Sequence, residues 1–179
     1  MDIYQPTLDY ISNLPILKIW TEAKSLLDHA ASLRPRDWRL PALACEAVGG
    51  EPEEAVPACA ALACAQISII LVDDMLDDDP RGEYHRLGAA QTANLAGTFL
   101  SAASQAILHS AARPSIKLAG VQDLNLMITS VAFGQYLDVQ NPVDEAAYWR
   151  VVETKSGPFF WDSPRAWRDF RRRAQRGYP

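Results

Sequence analysis

Apolar and polar residues alternate along most of this chain with the period of an α-helix. In residues 16–33, for example, Ile19, Ala23 and Leu26 recur at intervals of three or four and would share one helical face. Almost nothing has the period of two that is typical of a β-strand. The pattern therefore predicts an all-α protein, a large antiparallel helical bundle. Helices are predicted at 16–33, 40–48, 53–78, 91–110, 117–139 and 145–155.

The predicted helix 53–78 is the most apolar part of the chain. Between residues 55 and 72 its only polar side chains are Gln66 and Ser68. A helix that is apolar on all sides belongs in the middle of a bundle. A glycine pair before it and Pro80 after it mark its ends. Its uninterrupted apolar runs are far shorter than the roughly 18–20 residues of a membrane span, so no span is predicted.

Composition agrees with a globular enzyme or binding protein of one domain. Apolar residues make up 49% of the chain and charged residues 22%, which argues against a wholly disordered chain. The net charge of -5 argues against nucleic acid as the main partner. The N-terminus lacks the basic segment of a secretory signal, and Cys45, Cys59 and Cys64 have no paired CxxC spacing. We expect buried, reduced thiols and a cytoplasmic location.

Residues 161–179 differ in kind from the rest. They contain six arginines and no Leu, Ile, Val or Met, so no apolar stripe could pack them into a bundle. We therefore divide the chain into a helical domain at 1–160 and a basic non-core tail at 161–179. Three interpretations of the tail stay open: a solvated basic extension, a segment that is not the native continuation, and an anion-binding arm.

Five acidic residues in seven positions follow the apolar helix. Asp73 and Asp77 are four residues apart, so their carboxylates stack on one helical face, and Asp74 and Asp78 form a second pair beside them. Like charges at this spacing destabilise a helix unless a cation lies between them. Mg²⁺ binds one or two carboxylates together with phosphate oxygens. The acidic end of an apolar helix therefore predicts a metal that bridges an anionic head group.

Three motifs in this order resemble the trans-isoprenyl diphosphate synthase family. The segment ILVDDMLDDDPRG at 70–82 is similar to the family's first aspartate-rich motif, DDxxD followed by an Arg-Gly element. GQYLD at 134–138 is similar to its GQxxD, and TKSG at 154–157 to its Lys-Thr/Ser-Gly element. The resemblance covers residues 16–160 and implies the helical isoprenoid synthase fold, incomplete at the C-terminus. The family's second aspartate-rich motif has no counterpart in this sequence.

The resemblance implies a role for each matching residue. Asp73, Asp74 and Asp77 would hold Mg²⁺ and, through it, an allylic diphosphate. Lys155 would contact the diphosphate, and Gln135 and Asp138 would form the polar wall beside the reacting carbons. The cofactor is therefore predicted to be Mg²⁺.

Further residues would bind the substrates. By resemblance, Gln66, Arg81 and Arg34 would lie near isopentenyl diphosphate, although the elements that carry the two arginines match the family poorly. Ser68 and Ile69 would form the floor of the pocket for the growing chain. Neither is aromatic, which favours products of twenty carbons or more.

Three functions stay open on the sequence alone. The first is a prenyltransferase that condenses an allylic diphosphate with isopentenyl diphosphate, as a homodimer or within a heteromeric synthase. The second is a terpene cyclase-like enzyme, which ionises a prenyl diphosphate without elongating it. The third is an inactive fragment or a non-catalytic subunit of a heteromeric synthase, which the missing second motif favours.

Overall fold

The computed structural model describes residues 2–158, which form helices and turns without a β-strand. The tail at 161–179 lies outside the described residues. Eight α-helices follow one another within the described range: α1 (Tyr4–Ser12), α2 (Thr21–Ser32), α3 (Leu40–Ala47), α4 (Val56–Leu76), α5 (Tyr84–Leu87), α6 (Ala89–Leu108), α7 (Pro114–Asp138) and α8 (Glu145–Val151). Shorter turns of 3₁₀-helix precede α3 and α4, and a π-helical turn, Val152–Ser156, continues α8. The predicted all-α class is confirmed.

The N-terminal region differs from the prediction. Helix α1 was missed, although Tyr4, Thr7 and Ile11 share its buried face at helical spacing. Pro6 lies in the first turn of this helix, where a proline breaks no hydrogen bond. Ile19 was wrongly assigned to a buried face. It is 79% exposed, because the chain is still in a turn there and α2 begins only at Thr21.

Helix α4 forms the centre of the core, as its composition predicts. Its buried residues lie on all sides, and it packs most extensively along α6 and also contacts α1, α3 and α7. Where α4 meets α6, alanines such as Ala63 and Ala103 are completely buried. Small side chains let two helix axes approach closely. Phe99 of α6 fills the larger spaces of the same core.

One described helical stretch, Pro52–Leu76, is long and apolar enough to cross a membrane if only length and composition are considered. However, 72% of the most apolar 18 residues in this stretch is buried inside the protein. The core helix of a globular protein has the same composition. The packing of this stretch among other helices therefore agrees with the prediction that it does not span a membrane.

Candidate active site

The aspartate-rich segment lies where the central helix leaves the core. Asp73 and Asp74 occupy the last turn of α4, and Asp77 is its C-terminal cap. Asp78 has a φ of +53°, a left-handed conformation that aspartate tolerates better than most residues. The helix therefore ends inside the acidic run. As a result, Asp77 and Asp78 are exposed to solvent, while Asp73 and Asp74 stay half-buried against neighbouring elements.

A second element, the π-helical turn Val152–Ser156, packs against the end of α7. A Cβ atom placed on Gly134 would lie 2.5 Å from the Cα of Lys155 and 2.7 Å from the carbonyl carbon of Thr154. Only glycine permits so close an approach of two backbones. π-Helical turns are rare and often occur at functional sites. The glycine of the GQYLD segment thus fixes the backbone that carries Lys155.

Lys155 forms a bridge between α4 and α7. Its Nζ lies 2.7 Å from Asp138 Oδ2 and 3.1 Å from Asp73 Oδ1. The ammonium donates a hydrogen bond to Asp138, whereas Asp73 Oδ1 is buried and its contact with Nζ is an ion pair without hydrogen-bond geometry. Burial opposes the charge of Lys155, but the two carboxylates outweigh burial, so the pKa of Lys155 is raised. Lys155 is therefore a fixed cation at neutral pH.

Gln135 makes the other link between the two helices. Its side chain is buried, and its Nε2 donates a hydrogen bond of 3.0 Å to Asp77 Oδ1. Its Oε1 is also buried but has no hydrogen-bond partner. A buried acceptor without a partner is uncommon in a folded protein and needs an explanation. The structure thus brings together the three segments that the sequence singled out, and it leaves the Gln135 Oε1 acceptor without a partner.

The charges of the aspartates are incompletely neutralised. Burial raises the pKa of Asp73, against the opposing effect of Lys155, and burial together with Asp79 and Asp73 raises the pKa of Asp74. Carboxylates in such surroundings attract a hard cation. Within residues 2–158, however, no three acidic, histidine or cysteine side chains are already grouped as a metal cage. Asp73, Asp74 and Asp77 therefore offer suitable donor atoms for Mg²⁺, but the donors are not preassembled.

Two predicted substrate residues are paired outside this cluster. Arg81 forms a two-pronged ion pair with Asp79, at 3.1 and 2.8 Å, in the turn after α4. Arg34 pairs with Asp2 at 3.1 Å and lies over the ring of Tyr4, close to the N-terminus. Neither guanidinium contacts Asp73 or Lys155 in the described contacts. The position of Arg81 stays compatible with the site, because its charge acts on Asp74, whereas Arg34 belongs to an N-terminal contact.

The third predicted substrate residue, Gln66, is hydrogen-bonded to Trp38 and Asp37, away from the aspartate cluster. Gln66 lies about two helical turns before Asp73 on α4. It accepts a hydrogen bond of 2.7 Å from Trp38 Nε1 and donates one of 3.2 Å to Asp37 Oδ2. These two partners fix both ends of its amide. Neither Asp37 nor Trp38 was predicted as a polar partner, because the pairing depends on how the turn Arg36–Arg39 meets α4.

The two proposed floor residues lie one turn before the aspartates. Ser68 is buried and Ile69 is half-buried against the core. A further residue was missed by sequence reasoning. The hydroxyl of Tyr84 donates a hydrogen bond of 2.7 Å to Asp78 Oδ1, which raises the pKa of Tyr84 to about 12. No periodic pattern marks Tyr84, since its position depends on the tight turn at Gly82.

Solved protein structures include chains with a similar fold. The geranylgeranyl pyrophosphate synthetase from the archaeon Geoglobus acetivorans superimposes with a TM-score of 0.79 at 18% sequence identity. The match covers 92% of this chain and 55% of that chain, so this chain spans about half the length of the solved protein. No protein-family profile matches this sequence. No curated protein matches it either.

The identity is too low for this match to show more than the fold. The chain therefore has the all-α fold of a polyprenyl diphosphate synthase, over about half the length of the solved synthetase that it matches.

Proposed function

We propose that the protein is a Mg²⁺-dependent prenyltransferase that condenses an allylic diphosphate with isopentenyl diphosphate in the cytoplasm. One observation carries the proposal: Lys155 lies between Asp73 and Asp138, so three segments far apart in sequence meet at the mouth of an apolar helix. Ion pairs between neighbouring surface residues are common and of small value. A lysine shared by two carboxylates from different helices, beside the unpaired acceptor Gln135 Oε1, is better explained by a site for a charged ligand.

The residues of the site suit the cleavage of an allylic diphosphate. Departure of the diphosphate leaves a carbocation and a highly charged leaving group. Mg²⁺ held by Asp73, Asp74 and Asp77 would neutralise that leaving group. Lys155 would donate hydrogen bonds to the departing oxygens, at the point where negative charge develops.

The remaining residues would act on the hydrocarbon part of the substrate. Gln135 and Asp138, on the last turn of α7, would present oxygens towards the developing carbocation, which these partial and full negative charges stabilise. The apolar face of α4 excludes water that would otherwise capture the cation. Ile69 and Ser68 lie one turn before the aspartates on that helix, towards the core, and neither is aromatic. A chain that grows along them without meeting an aromatic ring would reach twenty carbons or more.

Two observations keep alternative functions in view. Arg34 pairs with Asp2 and Arg81 with Asp79, so each cation would have to give up an ion pair to hold a second diphosphate. This favours a cyclase-like enzyme that needs only the allylic substrate. The chain also spans only about half of the solved synthetase, and the third candidate is a non-catalytic subunit or an inactive fragment.

We also propose that another polypeptide covers part of α7. The exposed residues of this helix include Leu118, Leu126, Phe133 and Tyr136, interleaved with the uncharged polar residues Gln122, Asn125 and Thr129. A helix face exposed to water is normally polar and charged, whereas uncharged apolar faces mark contact surfaces. A second copy of the chain would give a homodimer, and a different subunit would give a heteromeric synthase. Light scattering of the purified chain distinguishes a dimer from a monomer that awaits a partner.

Turnover assays test the reaction. The purified chain is incubated with Mg²⁺ and an allylic diphosphate, with and without isopentenyl diphosphate. We expect elongation that requires both diphosphates. The rate should be very low for this chain alone, because its sequence has no second aspartate-rich motif and the loss of a single preorganised charge can reduce a rate by about 10²–10³. Release of diphosphate without isopentenyl diphosphate would favour the cyclase-like function. Activity that appears only with a second protein would favour the subunit.

Ligand-induced stabilisation tests the metal residues independently of turnover. Mg²⁺ with inorganic pyrophosphate should raise the melting temperature, since a ligand that binds only the folded state stabilises it. Asp73→Ala and Asp77→Ala should abolish this rise. Asp28→Ala, which removes an exposed carboxylate from α2, is the matched control and should retain it. An unchanged rise in both site variants would contradict the assignment.

A further inference from the structure

The ammonium of Lys155 lies beside Asp73, a residue that is also expected to bind the metal. This ammonium lies 3.1 Å from Asp73 Oδ1, one of the two oxygens through which that carboxylate would bind a divalent cation. Two cations cannot share one carboxylate oxygen at such distances without strong repulsion. Mg²⁺ and the ammonium of Lys155 therefore compete for Asp73.

The backbone of Lys155 offers no route out of this competition. Gly134 holds the π-helical turn so closely that no Cβ fits between them, and the turn packs along the end of α7. The side chain, in contrast, has an alternative partner. Asp138 Oδ2 lies 2.7 Å from Nζ and accepts the hydrogen bond that Asp73 does not. A rotation about the flexible lysine stem can separate Nζ from Asp73 while it stays paired with Asp138.

We propose that Lys155 is an internal substitute for the metal ion: it neutralises Asp73 in the metal-free protein, and binding of a divalent cation moves it onto Asp138. This inference rests on the proposed function, because it uses the same metal ligands. Asp138 thereby becomes a positioning residue that acts on the metal through Lys155. The displaced ammonium of Lys155 would be available to hydrogen-bond a diphosphate only after the metal is bound. The metal would therefore bind before the diphosphate.

The same arrangement accounts for the absence of a preassembled cage within residues 2–158. Asp73 is held by Lys155 and Asp77 by Gln135, so two of the three expected ligands are already engaged. Without a nearby cation, the half-buried carboxylate of Asp73 would be repelled by Asp77 and Asp138, which would destabilise the fold. Lys155 relieves this repulsion until the metal replaces it.

Binding of Mn²⁺ alone, followed by its electron paramagnetic resonance signal, tests the substitution without any substrate. Lys155→Met removes the ammonium and keeps a flexible side chain of similar length. We expect this variant to bind Mn²⁺ about fivefold more tightly than the unmodified chain, the scale set by a partly exposed ion pair. Lys24→Met, which removes an exposed ammonium from α2, is the matched control and should change nothing. Lys155→Gln repeats the test if the methionine variant is poorly folded.

A double-mutant cycle isolates the part played by Asp138. Asp138→Asn should weaken Mn²⁺ binding in the unmodified chain, because Lys155 then has only Asp73 as a charged partner. In the Lys155→Met background the same substitution should have no effect. Equal weakening in both backgrounds would mean that Asp138 acts on the metal directly and would overturn its role as a positioning residue.

The outcomes separate this inference from the proposed function. Mn²⁺ binding that depends on Asp73, shown by its loss in Asp73→Asn, but is unchanged or weaker in Lys155→Met would overturn the substitution and leave the metal site intact. Mn²⁺ binding that survives Asp73→Asn would overturn the metal site and the substitution together. Tighter binding in Lys155→Met, with unchanged binding in Lys24→Met, supports both.

Discussion

Gly134 and Lys155 are in direct backbone contact, and this contact sets the geometry of the candidate site. A Cβ on Gly134 would meet the backbone nitrogen and Cα of Lys155, the latter at 2.5 Å. Since these are main-chain atoms, no side-chain rotation could relieve the overlap. The glycine therefore determines how near the Lys155 ammonium lies to Asp73 and Asp138.

Replacement of this glycine should damage both stability and the site. We expect Gly134→Ala to lower the free energy of unfolding by about 1–3 kcal/mol, the usual range for an overpacked contact. Displacement of the π-helical turn should also separate Lys155 from Asp73. Urea denaturation measures the first effect, and loss of the Mg²⁺-pyrophosphate melting shift measures the second.

Gly97 provides the matched control for this prediction. It lies on α6, and a Cβ there would have no neighbour within 4 Å. Gly97→Ala should raise the free energy of unfolding by about 0.5–1 kcal/mol, because alanine loses less backbone entropy than glycine in a helix. Equal destabilisation by the two substitutions would contradict the close contact at Gly134.

The contacts that the sequence predicted share a physical origin. Residues that are four apart on a helix lie on one face, so the period of α4 alone places Asp73 and Asp77 together. The meeting of α4, α7 and the turn that carries Lys155 could be expected only from the resemblance, because tertiary packing leaves no periodic signal. The resemblance placed Arg34 near the substrates, whereas in the structure its guanidinium forms an ion pair with the side-chain carboxylate of Asp2. The tight turn that binds Arg81 to Asp79 is likewise set by local geometry.

Release of Arg81 from Asp79 should strengthen anion binding. Hydrogen bonds from Arg81 hold the pKa of Asp79 at about 2, so the folded state keeps this pair at neutral pH and loses its contribution only as the pH falls towards about 2. Asp79→Asn leaves Arg81 with a neutral acceptor. We expect inorganic pyrophosphate to bind about two- to fivefold more tightly in the presence of Mg²⁺, by calorimetry.

The control for Asp79 removes the same charge from a neighbouring position. Glu83→Gln deletes a carboxylate that pairs with Arg86, in the turn that leads into α5. It should strengthen pyrophosphate binding less than Asp79→Asn does. If the two variants bind pyrophosphate equally, the gain comes from net charge and Arg81 has no special part in it.

The three cysteines should be inert in the folded protein. All three are buried and none of them is in a disulfide, as the sequence predicted, and burial raises the pKa of Cys59 to about 12. At pH 8 only about one thiol in 10⁴ at such a site is ionised, and the thiolate is the reactive form. Because the folded pKa exceeds the reference value of 9.0, ionisation would favour unfolding as the pH rises from about 9 towards 12.

A thiol reagent at pH 8 measures this directly. We expect the native chain to release almost no chromophore from the reagent. Once guanidinium chloride unfolds the chain, the release should rapidly reach the amount expected for three thiols. Reaction of one thiol at the same rate in the native and unfolded chain would show that the core around α4 opens readily.

Product length depends on Ser68, if the proposed reaction is correct. Ser68 is buried one turn before Asp73, on the helix along which the product would lie. A phenylalanine there would occupy space that is now shared by the core and the growing chain, so Ser68→Phe should shorten the product. It should also lower the free energy of unfolding by about 1–3 kcal/mol, the cost of overpacking. Ser25→Phe, at an exposed position of α2, is the control and should alter neither.

Chromatography of the products separates the two explanations for any change. A shorter product with Ser68→Phe, from a chain that still melts cooperatively, places the floor of the pocket at this residue. A fifteen-carbon product from the unmodified chain would place the floor elsewhere. Phe99 is the best alternative, since its ring is completely buried in α6 where that helix packs along α4. In that case Phe99→Leu, which removes the ring and keeps an apolar side chain, should lengthen the product while Ser68→Phe leaves it unchanged.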